Sequence, residues 1–118
     1  MEIEAPSEEA VFTDALRGLG ELLADDGGGE QVRREVAVDG RERAILLVEW
    51  LNELVFLAET EDFVPEDVGR IQLSDHGLVA SVCGHRGSPR HVVKGATYHR
   101  LAFERFGRGY CASVVLDV

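Results

Sequence analysis

The segment GHRGSPRH, residues 84–91, carries the histidines with the most suggestive spacing in this sequence. His85 and His91 lie six positions apart in a predicted loop, whereas the paired histidines of a helical zinc hydrolase site lie four apart. A serine nucleophile would be expected in a GxSxG turn. None of the candidate serines lies in such a turn: Ser81, Ser88 and Ser113. We therefore expect neither a dedicated histidine metal site nor a serine hydrolase site.

The cysteines and glycines offer no further catalytic motif. Cys83 and Cys111 are too far apart for a CxxC motif or a zinc pair, and both lie in apolar runs, so we expect reduced thiols in the core. Gly18 and Gly20 fall inside a predicted helix, and the glycines at 27–29 are not followed by Lys-Ser or Lys-Thr. The sequence therefore lacks the pattern of a phosphate-binding loop.

The charge balance is strongly acidic. The formal net charge is −10, from 22 acidic and 12 basic side chains, which would repel a phosphate backbone except at a local basic patch. We expect no direct binding of nucleic acid, and either simple solubility or attraction to a basic partner protein. The first ten residues lack the pattern of a signal peptide, and no apolar run approaches the ~20 residues of a membrane span, so we expect a cytoplasmic location.

Two segments have the spacing of helices. Ser7 is a predicted N-cap, and apolar residues then recur at intervals of three and four over residues 8–24, before the acidic and glycine-rich segment 25–29. Residues 42–59 are apolar nearly all round, apart from one polar stripe of Glu49, Asn52 and Glu53. Such a narrow polar stripe predicts a mostly buried central helix. We assign three aromatic residues to the core: Trp50, Tyr98 and Phe103.

The remaining segments are predicted strands. Residues 2–5 form a short extended piece, and residues 31–39 alternate apolar and polar side chains. Five further strands are expected after the second helix, at residues 69–73, 77–83, 92–97, 100–103 and 110–116. The order is β-α-β-α followed by mostly antiparallel strands, which predicts an α+β fold with two helices packed on a sheet. Residues 1–118 contain no evident linker or repeat, so we expect a single domain.

Three segments resemble the archease family. They are VEWLNELVFLAETEDF at 48–63, VVKGATYHRLAFE at 92–104 and GYCASVVLDV at 109–118. In that family a WLNEL helix leads through an acidic turn into a strand, a VKAxTYH strand follows, and the chain ends in VxLD and an aliphatic residue. The resemblance extends from Glu2 onward.

This resemblance implies an archease-like fold and an accessory role rather than an enzyme activity. Archeases are cofactor proteins of RtcB-type RNA ligases in tRNA splicing and RNA repair, where they promote ligase guanylylation and multiple turnover with a divalent metal such as calcium, magnesium or manganese. The family's functional cluster combines an aspartate near the N-terminus with a lysine and a terminal aspartate. The last two correspond to Lys94 and Asp117, with Asp117 as a metal ligand. His85, His99 and the terminal carboxylate of Val118 are additional candidates, and a plain surface ion pair between Lys94 and Asp117 is the alternative.

The beginning of the sequence departs from the family. Archeases begin with a strand carrying an HTAD-type segment, and EIEAPSEEA corresponds to the end of that strand. No aspartate precedes Asp14, which lies in the first predicted helix, and the family's GE pair is replaced by Gly84 and His85. We therefore expect weak, partner-dependent metal binding, and either dimerisation through a strand edge or poor stability.

Two other functions fit the composition. A chaperone-like acidic interaction module would bind many unfolded proteins, where an archease would prefer one ligase. A small metal-dependent hydrolase would show turnover from the purified protein alone.

Overall fold

The computed structural model describes residues 1–24, 27–89 and 92–118, and within them the chain forms two helices and six strands. Asp25, Asp26 and His91 lie outside the described residues. The element order confirms the predicted α+β class. The elements in chain order are β1 (Glu2–Ala5), α1 (Glu8–Leu23), β2 (Gln31–Asp39), α2 (Arg43–Glu61), β3 (Phe63–Leu73), β4 (Gly77–Arg86), β5 (Gly95–Phe106) and β6 (Gly109–Asp117).

The strands form two antiparallel sheets of three strands each, where the sequence had suggested one sheet. The first sheet has the order β1-β6-β5, and the second has the order β2-β4-β3. Residues 2–5 do form a strand, and Ile3 faces Ala112 across the pairing of β1 with β6. The pairing continues to Met1, whose amino group donates to the carbonyl of Val114 at 2.8 Å.

Helix α1 begins where the sequence predicted. The side chain of Ser7 accepts a hydrogen bond from the backbone N–H of Ala10 at 3.1 Å, which satisfies one of the free donors in the first turn. The helix packs closely on β3 near Gly20. A Cβ atom at Gly20 would lie 2.3 Å from the carbonyl oxygen of Pro65, so only glycine allows this approach. The apolar side of α1 then faces both sheets.

Helix α2 is buried on most sides, as its composition predicted. Trp50 is fully buried, and its indole N–H donates to the carbonyl of Phe12 at 2.9 Å. The Phe12 ring meets Trp50 edge-on at 6.4 Å and lies 5.7 Å from Phe103. These rings join both helices to the first sheet, with Phe12 and Trp50 fully buried and Phe103 partly buried against the core, so the core positions predicted for Trp50 and Phe103 hold fully for Trp50 and in part for Phe103. Neither described helix is long and apolar enough to cross a membrane.

The strands after α2 are longer than the sequence predicted. β3 begins at Phe63 rather than at residue 69, and its register shifts twice against β4, between Pro65 and Asp67 and between Val68 and Arg70. These irregularities interrupt the alternation of side chains that identifies a strand. The two strands predicted at 92–97 and 100–103 are one strand, β5, which begins at Gly95.

The cysteines differ from the prediction in their burial. Both are free thiols, but each is half-buried rather than enclosed in the core. Cys83 lies in β4 and Cys111 in β6, so the two thiols belong to different sheets.

Candidate functional site

Lys94 and Asp117 come together where β5 begins and β6 ends. The backbone N–H of Lys94 donates to the carbonyl of Asp117 at 2.7 Å, which extends the β5–β6 pairing by one residue. Both residues are exposed, and they line the same open cavity of about 420 Å³. The two positions that the archease resemblance singled out therefore share one place at the end of the first sheet.

Helix α2 forms the other wall of this cavity. The side-chain oxygen of Asn52 accepts a hydrogen bond from the backbone N–H of Ala96 at 2.7 Å, which ties the start of β5 to the helix. A Cβ atom at Gly95 would lie 2.8 Å from the same oxygen, so glycine permits this close approach. Phe56 and Glu59, further along α2, complete the wall. The position of Lys94 is thus determined by a helix as well as by its neighbouring strand.

The charges in the cavity are open to solvent. The side chains of Lys94 and Asp117 form no ion pair with each other, and a backbone hydrogen bond joins the two residues. Glu59 adds a second carboxylate to the lining. The cavity can therefore present one cation and two anions to a bound molecule.

The described residues do not form a complete metal site. Carboxylate and amide oxygens suit Ca²⁺, Mg²⁺ and Mn²⁺, and the cavity lining offers them from Asp117, Glu59 and Asn52. Across residues 1–24, 27–89 and 92–118, however, no three His, Cys, Asp or Glu side chains are grouped so that they could hold a metal ion. The Asn52 oxygen already accepts a backbone hydrogen bond. A tightly held ion would need further oxygen atoms.

The additional candidates lie elsewhere or differ from their prediction. His85 is in strand β4 rather than in a loop; it is buried, and its Nδ1 lies 3.3 Å from Glu66 Oε1. It lines a separate cavity with Arg17. His99 is exposed, and it does not line the Lys94 cavity. Val118 is exposed next to Asp117 but is not part of that lining.

Tyr98 is an exposed aromatic residue beside the cavity, although the sequence predicted a core position for it. The residue is 59% exposed, and its hydroxyl donates to Glu49 Oε1 at 3.3 Å. The reason is the break in pairing of β5 with β6 between Thr97 and Ala102, where Arg100 has a φ of 54°. The core assignment of Tyr98 was therefore wrong.

Phe56 is a second exposed aromatic residue, and it is not among the site residues predicted from the sequence. It is 54% exposed and lines the cavity. Phe56 follows Glu53 by three residues, so helical spacing places it on the same side of α2 as the polar stripe. That spacing was the signal that could have identified it.

The candidate serines offer no activated nucleophile. Ser81 is buried and its Oγ has no hydrogen-bond partner, so no base activates it. Ser88 follows β4 outside any strand, and Ser113 lies in β6 opposite Glu2 of β1. The three serines therefore occupy separate places in the described part of the chain.

Comparisons with known proteins agree on one family. Residues 1–118 match the family model described as the Archease protein family (MTH1598/TM1083). The archease of Archaeoglobus fulgidus is 37% identical over 124 residues, covering 99% of this chain and 90% of the relative. The archease of Thermococcus gammatolerans is 32% identical over 120 residues, covering 93% of this chain and 84% of the relative.

Solved structures show the same fold. The crystal structure of a Thermotoga maritima archease, described as a possible chaperone, superposes with a TM-score of 0.74 at 24% identity and covers 100% of this chain and 88% of that one. The solution structure of Methanobacterium thermoautotrophicum protein 1598 gives a TM-score of 0.71 at 24% identity, with coverage of 99% and 89%.

Proposed function

Because this chain belongs to the archease family, we propose that it is an accessory protein of an RtcB-type RNA ligase. In this role it promotes guanylylation of the ligase and allows repeated turnover in tRNA splicing or RNA repair. The observation that carries the proposal is the meeting of Lys94 and Asp117 in one solvent-open cavity. These are the two positions that match the family's functional cluster.

The cavity supports a role beside another protein's active site. The ammonium group of Lys94 can contact a nucleotide phosphate held by the ligase, because an exposed lysine acts as a point charge on a flexible stem. The carboxylate of Asp117 can accept hydrogen bonds or bind a cation at the same place. We propose that these two groups act only after docking, when the ligase excludes water and strengthens their interactions.

A divalent metal ion bound at Asp117 would add to the contact between the cavity and the docked ligase. Asp117, with Glu59 in the same lining, supplies carboxylate oxygens for Ca²⁺, Mg²⁺ or Mn²⁺. The described residues offer too few ligands for a closed site. We propose that the ion binds weakly to the free protein and that the ligase or its nucleotide supplies the remaining oxygens.

The proposal predicts no catalysis by the protein alone. Purified protein should show no ligase, nuclease or nucleotide hydrolase activity, since the sequence contains no recognisable combination of nucleophile, base and oxyanion donors. The test is to add the protein in sub-stoichiometric amounts to an RtcB-type ligase from the same genome, then measure guanylylation and the number of ligations per ligase. We expect both to rise. Unchanged turnover, or activity from the purified protein alone, would contradict the accessory role.

A chaperone-like module is the second candidate function. The net charge of −10 and the exposed rings of Phe56 and Tyr98 are the observations that favour it, because unfolded proteins expose both charged and apolar groups. The two functions differ in selectivity. A chaperone-like module would suppress aggregation of several unrelated unfolded proteins, whereas a ligase accessory protein would bind one folded ligase and leave those proteins unaffected.

A further inference from the structure

The outward side of α2 carries a line of polar and aromatic residues beside the Lys94 cavity. We call this line the α2 stripe; its members recur at helical spacing and none is fully buried. They are Glu49, Asn52, Glu53, Phe56 and Glu59. Asn52, Phe56 and Glu59 also line the cavity, so the stripe and the cavity form one continuous surface.

Exposed aromatic rings distinguish this surface from an ordinary solvent-exposed polar face of a helix. Phe56 is 54% exposed within the stripe, and Tyr98 of β5 is 59% exposed beside it. The hydroxyl of Tyr98 is held by Glu49, so the ring is kept next to the helix. Aromatic residues are enriched at protein interfaces, where they give a large contact area at low cost in conformational entropy.

The carboxylates of the stripe have no basic partners among the described residues. Glu53 and Glu59 form no ion pair there, and Glu49 accepts only from a neutral hydroxyl. Arg34, a basic residue that approaches this helix, is already paired with Glu61 at 2.9 Å. The stripe therefore keeps a negative potential that a basic surface would neutralise.

The backbone that carries this surface is anchored to the rest of the fold. The opposite side of α2 is buried in the core around Trp50, and the bond from Ala96 to Asn52 fixes the helix to β5. A preformed surface loses little conformational entropy on association, which favours affinity.

We infer that the α2 stripe, together with Tyr98, is the docking surface for an arginine-rich surface of a partner protein. Guanidinium groups suit both features of the stripe, because they pair with carboxylates and stack on aromatic rings. Docking there would bring the Lys94 and Asp117 side chains to the partner. The inference rests on the proposed function for the identity of that partner, an RtcB-type ligase.

The first experiment measures the affinity of the ligase for stripe variants. We expect Phe56→Ala and Tyr98→Ala each to weaken binding by about 10- to 30-fold, as for a central aromatic contact. Glu53→Lys should weaken binding, with a smaller dependence on salt than in the wild type. Phe106→Ala and Glu104→Lys are matched controls, because both residues are exposed at the far end of β5. We expect these controls to bind within about twofold of the wild type.

A second readout separates docking from the action of Lys94 and Asp117. Saturating amounts of Tyr98→Ala or Glu53→Lys should restore full ligase stimulation, because these residues do not line the cavity. If the wild type binds the ligase and the stripe variants bind equally well, the docking inference is wrong while the proposed function stands.

A ligase that does not bind even the wild-type protein would overturn the proposed function instead. The stripe is then tested by titrating the whole chain with a synthetic arginine-rich peptide and measuring the backbone chemical shifts of the protein by NMR. We expect the largest changes around Phe56 and Tyr98 and little change around Phe106. Shifts scattered over the acidic surface would overturn the docking inference.

Discussion

The two sides of helix α2 differ in what they contact. One side is centred on Trp50, which is fully buried and donates a hydrogen bond to the carbonyl of Phe12 in α1. The other side holds the α2 stripe, where Phe56 is exposed and Asn52 reaches across to β5. Both sides belong to one continuous helix and share its backbone. Burial on one side therefore anchors the backbone that carries the exposed side chains on the other.

This difference implies that stability and function can be changed separately. Side chains on the buried side contribute through removal of apolar surface from water. Exposed charges such as Lys94 and Asp117 contribute little to folding, because solvent screens them. Substitutions on the buried side of α2 and at the exposed charges of the Lys94 cavity should therefore give opposite patterns of melting temperature and ligase stimulation.

The largest expected effect is that of Trp50→Ala. It removes the largest buried ring and leaves the carbonyl of Phe12 without its donor. We expect a loss of about 3 to 5 kcal/mol in the free energy of unfolding. Urea denaturation followed by circular dichroism measures it, and a loss below about 1 kcal/mol would show that the ring is not central to the core.

Asn52→Ala acts at the boundary between the two sides. It removes the acceptor for the backbone N–H of Ala96, which is half-buried in the first sheet. We expect a loss of about 1 to 3 kcal/mol and a displaced start of β5. Asn52→Asp is the matched control, because it keeps an acceptor oxygen at the same place. Equal stability of the Ala and Asp variants would contradict this role of the amide.

The helices could be predicted from the sequence because their signals are local. Ser7 was a readable N-cap, and the apolar spacing located both helices to within two residues at each end. The division into two sheets could not be predicted, since it depends on the pairing of β1 with β6 across nearly the whole chain. No local pattern encodes that pairing.

The site could be predicted only in part, for similar reasons. The positions of Lys94 and Asp117 followed from a resemblance, and the structure brings them together. The core position predicted for Tyr98 is wrong because the alternation of buried and exposed side chains is broken where β5 shifts register against β6. The loop predicted for His85 is a strand. Gly84 suggested a loop, but glycine is needed in this strand because a side chain at position 84 would collide with the carbonyl of Val64 in the neighbouring strand.

Ser7→Ala should reduce stability by less than Trp50→Ala and serves to calibrate how stability affects function. The substitution removes the cap of α1, far from the Lys94 cavity, and should cost about 1 kcal/mol. We expect full ligase stimulation by this variant at a temperature where it remains folded. A parallel loss of stimulation would show that modest destabilisation alone impairs function, and stability and function would then not be separable.

Metal binding should have a smaller effect on stability. With few carboxylates grouped among the described residues, we expect a dissociation constant for Ca²⁺, Mg²⁺ or Mn²⁺ of about 1 mM. At a metal concentration equal to that constant, the stabilisation would be about 0.4 kcal/mol. Calorimetric titration of wild type and Asp117→Asn measures the affinity, and sedimentation of the same samples reports any dimer. Micromolar affinity in both proteins would place the metal away from Asp117.

The separation of function from stability is tested most directly by Lys94→Ala and Asp117→Asn, with ligase turnover and the free energy of unfolding measured on the same preparations. We expect each substitution to abolish stimulation of the RtcB-type ligase and to change the free energy of unfolding by no more than about 0.5 kcal/mol, because both side chains are exposed and unpaired with each other. Full stimulation by both variants would contradict the proposed role of the cavity.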